Sequence, residues 1–559
     1  MRYHDLLTAL QTHTAGLCFS LVTAVISSSA IALEAASEHC VACHTGKATG
    51  FTEAHDFAAT GCELCHGGDA TSPDQTRAHT RLVAFPGNMD NAEQTCGKCH
   101  AEQVQAVSRN FMHTGKGMVN VTRYVFGEAP APEGEGDLTT LAATPADTLL
   151  RKQCASCHLG HNKHRHGTDV VRDRGGGCLA CHINAYPKES HPALTVRVGD
   201  GRCFGCHSRS GRISLSYAGL AEIETSASPG KDTQLLRRLP DGRTLEVQPP
   251  DVHYKAGMSC IDCHTSTGLM GPADHLQHQQ QAVDIACTDC HQNENVATTL
   301  TSWPEKYRRL LRFVSETTTL QQRFLTTKRF GTPLWHIEVR EDGNYLHPKQ
   351  GGQPLKIPDY QVQSHVPVKE HQRLTCSACH SQWAPQCYGC HLEYDPGATQ
   401  WDHVMGKATA GRWQQKRWNI RNALPPLGVT ASDQIAPFVP GMILTIEHSD
   451  WSIPRFVRLF ARISPHTTGR ARSCKSCHQS SIAMGLGAGK LERSRDSWHL
   501  SSQGESLTDG LPADAWTSLH PLQPGKASQT GDRSFTTDEI LRILSVDLQS
   551  KPVSERQQD

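Results

Sequence analysis

Residues 374–391 read LTCSACHSQWAPQCYGCH, two copies of the five-residue pattern Cys-x-x-Cys-His with six residues between His380 and Cys387. Working outward from this stretch, the same pattern recurs along the whole chain. It comprises Cys40, Cys43 and His44; Cys62, Cys65 and His66; Cys96, Cys99 and His100; Cys154, Cys157 and His158; Cys178, Cys181 and His182; Cys203, Cys206 and His207; Cys260, Cys263 and His264; Cys287, Cys290 and His291; Cys376, Cys379 and His380; Cys387, Cys390 and His391; and Cys474, Cys477 and His478. Eleven copies take up 22 of the 23 cysteines, and only Cys18 is left over.

The spacing has a chemical reason. Two thiols three residues apart can each form a thioether with one vinyl group of the same haem, and the next residue then faces the iron as its proximal imidazole. Structural zinc needs four ligands from two half-sites and has no use for a histidine after every second cysteine. A thioredoxin-like redox pair occurs once or twice beside a βαβ pattern, and disulfides would need cysteines that the motifs have already taken. The sequence therefore predicts eleven covalently bound haems of the c type.

Composition agrees with that count. Fifty-five Lys and Arg balance 55 Asp and Glu in 559 residues, which excludes a basic nucleic-acid binder. An apolar fraction of 37% and a mean hydropathy of −0.47 would make thin cores in a chain of this length, so large apolar groups other than side chains are expected to fill the interior. Haem propionates would make the loaded protein acidic although the polypeptide is neutral.

The segment Leu17 to Leu33, LCFSLVTAVISSSAIAL, is apolar and rich in small residues and reads as the core of a signal peptide cleaved near Ala32, the alternative being a membrane anchor. Cys18 leaves with it. No later stretch reaches about 18 apolar residues, so no transmembrane anchor is expected after cleavage. Export places the mature chain in the periplasm or on the outer surface, where haem is attached to such motifs.

Residues 40–291 hold eight motifs and residues 292–559 hold three. The expected organisation is a signal peptide (1–32), a module with three motifs (33–126), a Pro- and Gly-rich loop (127–149), a module with five motifs (150–300), a haem-free helix and hairpin (301–375), the paired motifs (376–391), a second haem-free insertion (392–473), and the last motif with a C-terminal helix (474–559). Within 302–323, Tyr307, Leu310, Leu311 and Val314 share a helical face. Asp342-Gly343 and Asp241-Gly242 each sit between β-type residues and signal hairpins. Thr536 and Glu539 form a capping box ahead of an Ile540, Leu541, Leu544, Leu548 stripe. The Arg-rich stretches KYRRLLRF (306–313) and QQKRWNIR (414–421) read as solvated helix faces.

Each iron also has a sixth position. Setting aside the motif histidines and His4 and His13, 20 of the 33 histidines remain to fill eleven such positions, whereas methionine is scarce at 9. Bis-histidine, low-potential haems are the expectation. His55, His253, His371 and His466 lie shortly upstream of a motif and can reach a haem face, their own or a neighbour's. His79, His113, His191, His403 and His499 are the further distal candidates. In the run His158, His161, His164, His166, one or two of the last three are candidates and the rest a solvated face.

Segments such as RCFGCHSRSGRISLSYAG (202–219), DVHYKAGMSCIDCHTSTGLMG (251–271) and LTCSACHSQWAPQCYGCH (374–391) resemble multihaem c-type cytochromes of bacterial respiratory and extracellular electron transfer. The resemblance covers nearly the whole mature chain. It implies a mainly α and irregular fold built around a haem stack, with small β-hairpin or β-ribbon insertions in the C-terminal half. It also implies electron conduction between a respiratory donor and a terminal acceptor, with redox proteins as partners, among them a membrane quinol-oxidising or outer-membrane conduit complex. The alternative is a multihaem reductase or oxidase with one five-coordinate haem acting on a small nitrogen or sulfur oxyanion, with His336, His347 or His448 as acid/base groups. Enzymes of that kind often carry Lys in place of the motif histidine at the active haem; here all eleven motifs end in His.

Overall fold

The computed structural model describes residues 38–164, 174–184, 190–208, 214–224, 235–239, 242–271, 276–292, 298–314, 322–360, 365, 369–495 and 497–548. The signal-peptide segment, His166 and the tip residue Asp241 lie outside the described residues. The chain forms two compact units that interleave along the sequence: residues 1–105, 162–198 and 305–318, and residues 106–161, 199–304 and 319–559.

The first unit carries motifs one, two, three and five on short helical turns joined by irregular loops. Its described buried hydrophobics are Ala70, Ala92, Ile183 and Leu311. Four such side chains release too little apolar surface to offset the entropy of ordering the unit, so its cohesion has to come from elsewhere. Polar ties supply part of it: the Asn88 amide donates to Lys163 O (3.1 Å) while the Lys163 N–H donates back to Asn88 Oδ1 (3.0 Å), and the Lys47 ammonium donates to Ser190 O (3.0 Å). The KYRRLLRF stretch is the helix that its periodicity predicts, α1 (Glu305–Val314), with Leu311 buried and Arg309 exposed.

The second unit departs from the sequence expectation. Strands β1 (Leu220–Glu222), β2 (Leu236–Arg238) and β3 (Thr244–Val247) make a small antiparallel sheet in the order β1-β3-β2. Strands β4 (Thr298–Thr299), β5 (Arg323–Thr326), β6 (Pro333–Arg340), β7 (Gly343–Leu346) and β8 (Leu355–Lys356) make a five-stranded sheet, and the Asp342-Gly343 hairpin joins β6 to β7. Next come two long strands, β9 (Ala384–Asp402) and β10 (Lys407–Ala423), with β11 (Leu427–Val429), β12 (Ile435–Glu447) and β13 (Arg455–Arg462). The hairpin β14 (Gly489–Ser494) and β15 (Ser497–Ser502) stands apart, and β16 (Lys526–Ala527) returns to the large sheet, whose order is β10-β9-β12-β13-β16 with β11 on β12.

The mainly α fold with small β insertions is therefore incorrect. The segment expected to be a haem-free insertion, 392–473, is mostly sheet and carries a conventional core. Strand β12, IAPFVPGMILTIE, buries Phe438, Val439, Ile443, Leu444 and Ile446, a near-continuous apolar run of the kind found in strands covered on both faces. QQKRWNIR is part of β10 and not a helix; it pairs antiparallel with 386–393 of β9. Its apolar residues are Trp and Ile, which favour a pleated surface, and its spacing does not sustain a helical stripe.

The C-terminal helix forms as the capping box predicts, α2 (Thr537–Leu544), but its apolar stripe is narrower: Ile540 and Leu544 are buried, Leu541 is exposed, and Leu548 lies beyond the helix. Glu539 accepts from the Thr536 N–H (2.9 Å) and pairs with Arg533 (2.7 Å) and Arg373 (3.4 Å). Burial alone would raise its pKa, but the Arg533 bond, the Thr536 N–H and the two cations hold it down at about 2. A folded value below the unfolded carboxylate value of about 4.3 means the charged form favours folding above that pH, and the gain is lost as pH falls through about 2. Glu539→Gln is expected to cost about 1 to 2 kcal/mol at pH 7 and almost nothing at pH 2, read as the difference in urea midpoint between the two proteins at each pH.

Candidate haem-binding centres

Nine of the eleven motifs fold as single helical turns. In motifs one, two, three, five, seven and eleven the histidine N–H donates to the carbonyl of the first cysteine at 2.8–3.1 Å, and motifs six, eight and nine lie within helices Asp200–His207, Cys287–His291 and Cys376–His380. Motif four spans a short π turn and a 3-10 turn. One helical turn puts residues i, i+3 and i+4 on the same side, which is what two thioethers and an axial imidazole on one haem require.

Seven motif imidazoles face a second imidazole at a nearly constant distance. The ring centroids are 6.1 Å apart for His44 and His79, 6.3 Å for His66 and His191, 6.1 Å for His100 and His55, 6.2 Å for His264 and His466, 6.1 Å for His291 and His253, 6.1 Å for His380 and His365, and 5.9 Å for His478 and His371. Two imidazoles on opposite sides of one metal, with metal–nitrogen bonds of about 2 Å, have their centroids roughly 6 Å apart.

The ring orientations fit as well. A carbonyl oxygen only accepts, so a ring Nδ1 bonded to one carries the proton and leaves Nε2 as the free ligand atom. Such bonds run from His66 to Val83 O (2.8 Å), His182 to Thr195 O (2.8 Å), His291 to Pro358 O (3.2 Å), His380 to Gly469 O (2.9 Å) and His478 to Ile543 O (2.8 Å). Among the facing residues, His191 donates to Pro192 O (2.9 Å), His466 to Ser464 O (2.8 Å) and His253 to the Asp251 carboxylate (2.8 Å). Outer partners of this kind fix the ring and raise its basicity in metal sites. Burial lowers His158 and His264 to about 4, so both are neutral imidazoles, and it pushes the Cys263 and Cys290 thiols up to about 12.

Of the nine distal candidates read from the sequence, His55, His79, His191, His253, His371 and His466 each face a motif histidine. None of the four upstream residues, His55, His253, His371 and His466, serves the motif it precedes: they face motifs three, eight, eleven and seven. His365 was missed. It lies further upstream of motif nine, stacked on Tyr360 (4.2 Å), and takes the place that short spacing would have given to His371.

His403 faces His161 (5.8 Å), which in turn lies 6.4 Å from His158, so motif four meets a three-imidazole cluster. His113 adjoins the same motif through its carbonyl, which accepts from His158 Nδ1 (3.2 Å). His499 is on β15, bonded to Ser497 (2.8 Å) and paired across the hairpin with Glu492. Of the three proposed acid/base residues, His336 and His347 are neighbours, the His347 N–H donating to His336 O (2.7 Å), with His336 buried against Asp262 O (2.8 Å) and His347 paired with Glu338 (3.0 Å), whereas His448 stacks on Tyr394 (4.5 Å).

The motifs also line up with one another. The cysteine side chains of Cys40 and Cys62 and of Cys96 and Cys178 lie close together in the first unit, as do those of Cys203 and Cys260 and of Cys287 and Cys376 in the second. Backbone ties agree: the Lys98 ammonium reaches Leu64 O (3.0 Å), Cys260 N–H donates to Asp200 (2.9 Å), and Arg472 N–H donates to Cys379 O (2.8 Å). Cys65 with Cys96, Cys263 with Cys290, Cys379 with Cys477, and Cys157 with His207 are close enough to interact electrostatically. The succession is one, two, three, five in the first unit and four, six, seven, eight, nine, eleven in the second. Within each unit the order follows the chain, with motif five grouped with the first three and motif four with the later ones.

Motif ten is built differently. Cys387, Cys390 and His391 lie in β9, opposite Ile420, Arg417 and Lys416 of β10, with Cys390 and His391 also beside Leu444 and Thr445 of β12. A haem does not fit these residues as they stand, whereas it fits the helical motifs.

No cluster of three or more His, Cys, Asp or Glu suited to a bare metal ion occurs among the described residues, and no described helix is long and apolar enough to cross a membrane. No family model, curated protein or solved structure matches the chain.

Proposed function

We propose that this protein is an exported multihaem c-type cytochrome that conducts electrons between a respiratory donor and a terminal acceptor, both redox proteins, in the periplasm or at the outer surface. The observation that carries the reading is the set of seven imidazole pairs at 5.9–6.3 Å, each with one member from a Cys-x-x-Cys-His motif. Bound haem would supply a one-electron iron couple at each motif.

The chain's own residues do the rest. The two cysteines of a helical motif would tether the group, and at seven motifs the motif histidine and the histidine facing it would both ligate its iron and leave no position for a small ligand. Carbonyl and carboxylate partners on Nδ1 hold the rings in orientation. The nearness of cysteine side chains of neighbouring motifs would set successive groups close enough for electron transfer within each unit. A first unit with four described buried hydrophobics is consistent with prosthetic groups forming its core.

Protein-film voltammetry of the loaded protein tests the choice between conduit and enzyme. Conduction predicts reversible low-potential signals that nitrite, hydroxylamine and tetrathionate leave unchanged. A catalytic wave with any of them would favour the reductase or oxidase reading instead.

A further inference from the structure

The geometry points to Cys387, Cys390 and His391 remaining free of haem, so that the chain carries ten haems on eleven motifs. The inference rests on the cytochrome reading and refines its cofactor count. Residues three apart on a strand project to opposite faces, whereas in the helical motifs they share one. Cys390 is buried with Leu392, Trp413, Leu444 and Ile446, and its Sγ accepts from the Gln415 amide (3.3 Å). Cys387 is half-buried on the other face, beside the carbonyls of Gly389 (3.3 Å) and Trp418 (3.8 Å). No single porphyrin edge can meet both thiols.

Between them Gly389 lies under the Trp418 indole, which occupies the space a side chain or a ring would need. His391 has a carboxylate and not an imidazole across from it, Glu447 at 3.6 Å. Attaching a haem here would require residues 387–391 to leave β10 and β12 together, and Cys390 to leave the core. Nor can the two thiols form a disulfide with one another, since about 10 Å separates the Cα atoms of residues three apart on a strand, beyond the reach of an S–S bond.

Trypsin can release residues 374–407 as one fragment, because no Lys or Arg lies between Arg373 and Lys407; it contains motifs nine and ten. Mass spectrometry of this fragment from the alkylated holoprotein is expected to show one haem and two alkylated cysteines, and the intact protein ten haems. The Cys387→Ser/Cys390→Ser double variant should keep ten. Two haems on the fragment, eleven on the protein, or loss of one haem in the variant would overturn the inference while leaving the conduit reading in place. A protein with no covalent haem would overturn both.

Discussion

Replacing His466 with Ala is expected to turn one haem equivalent from low-spin to high-spin in the oxidised protein, with the others unchanged. His466 stands 6.2 Å from His264, with the two rings only 16° from parallel, and its Nδ1 is tied to Ser464 O, so Nε2 is the atom left for the metal. Its backbone has φ +55°, a left-handed conformation that costs a residue with a side chain and is typically kept where a site fixes the position of that side chain. Removing the imidazole opens one coordination position and leaves the covalent attachment at Cys260 and Cys263 intact. Haem count by pyridine haemochrome should not change, while the high-spin EPR signal should rise by one equivalent and respond to cyanide. His466→Met should instead keep that haem low-spin and raise its potential, since thioether ligation favours the reduced iron. An unchanged EPR spectrum in His466→Ala would show that this imidazole is not a ligand.

Arg458→Met is expected to be the most destabilising single change in the sheet-rich part of the second unit, by about 3 to 5 kcal/mol. The Arg458 side chain is 2% exposed and makes a bidentate pair with Asp509 at 2.6 and 2.9 Å. It also donates to the carbonyls of Leu511 (3.3 Å), Pro512 (3.0 Å), Ala513 (3.2 Å) and Ala515 (2.8 Å). One guanidinium thus ties together a loop whose own backbone pairing is a single bridge between Ser506 and Pro512 with a few turn bonds. That loop delivers Trp516, which stacks on Phe460 (5.0 Å) and packs on Phe438 (4.7 Å) at the centre of a core cluster. Methionine fills similar volume but removes the cation from the Asp509 carboxylate and the donor from the Ala513 and Ala515 carbonyls, while Leu511 O and Pro512 O keep the N–H groups of Leu507 (2.9 Å) and Ala515 (3.0 Å). The exposed pair of Arg412 with Asp395 (3.3 Å) is the control, expected to change the urea midpoint by less than about 1 kcal/mol when Arg412 becomes Met.

The parts of this molecule legible in the sequence are those governed by local chemistry. Asp342-Gly343 encodes its own hairpin and Thr536 with Glu539 its own cap, and both form where the residues predict, while Cys-x-x-Cys-His forms a helical turn in nine of its eleven copies. Which imidazole faces which motif is a tertiary matter. His371 sits a few residues before Cys376 and yet faces His478, because the segment before motif eleven bonds back to motif nine through Gly469 and Arg472. His365 had no short spacing to mark it.

The large sheet was hidden for a different reason. Counting motifs directs attention to haems as the source of core, whereas the 384–462 region builds an ordinary apolar core from Phe438, Val439, Ile443, Trp413 and Phe460. The β-rich run in β12 was the available signal. Residues 387–391 match every other motif in spacing, but the stretch contains Tyr388, is followed by Leu392 and Tyr394, and is paired along its length with the Trp- and Arg-rich β10.

Near-infrared magnetic circular dichroism of the oxidised holoprotein, quantified against total haem, tests directly the proposal that the paired imidazoles ligate iron. At least seven haem equivalents should show the charge-transfer band of bis-histidine low-spin iron. A spectrum dominated by high-spin or His/Met iron, or fewer than seven bis-histidine equivalents in a fully loaded protein, would contradict it.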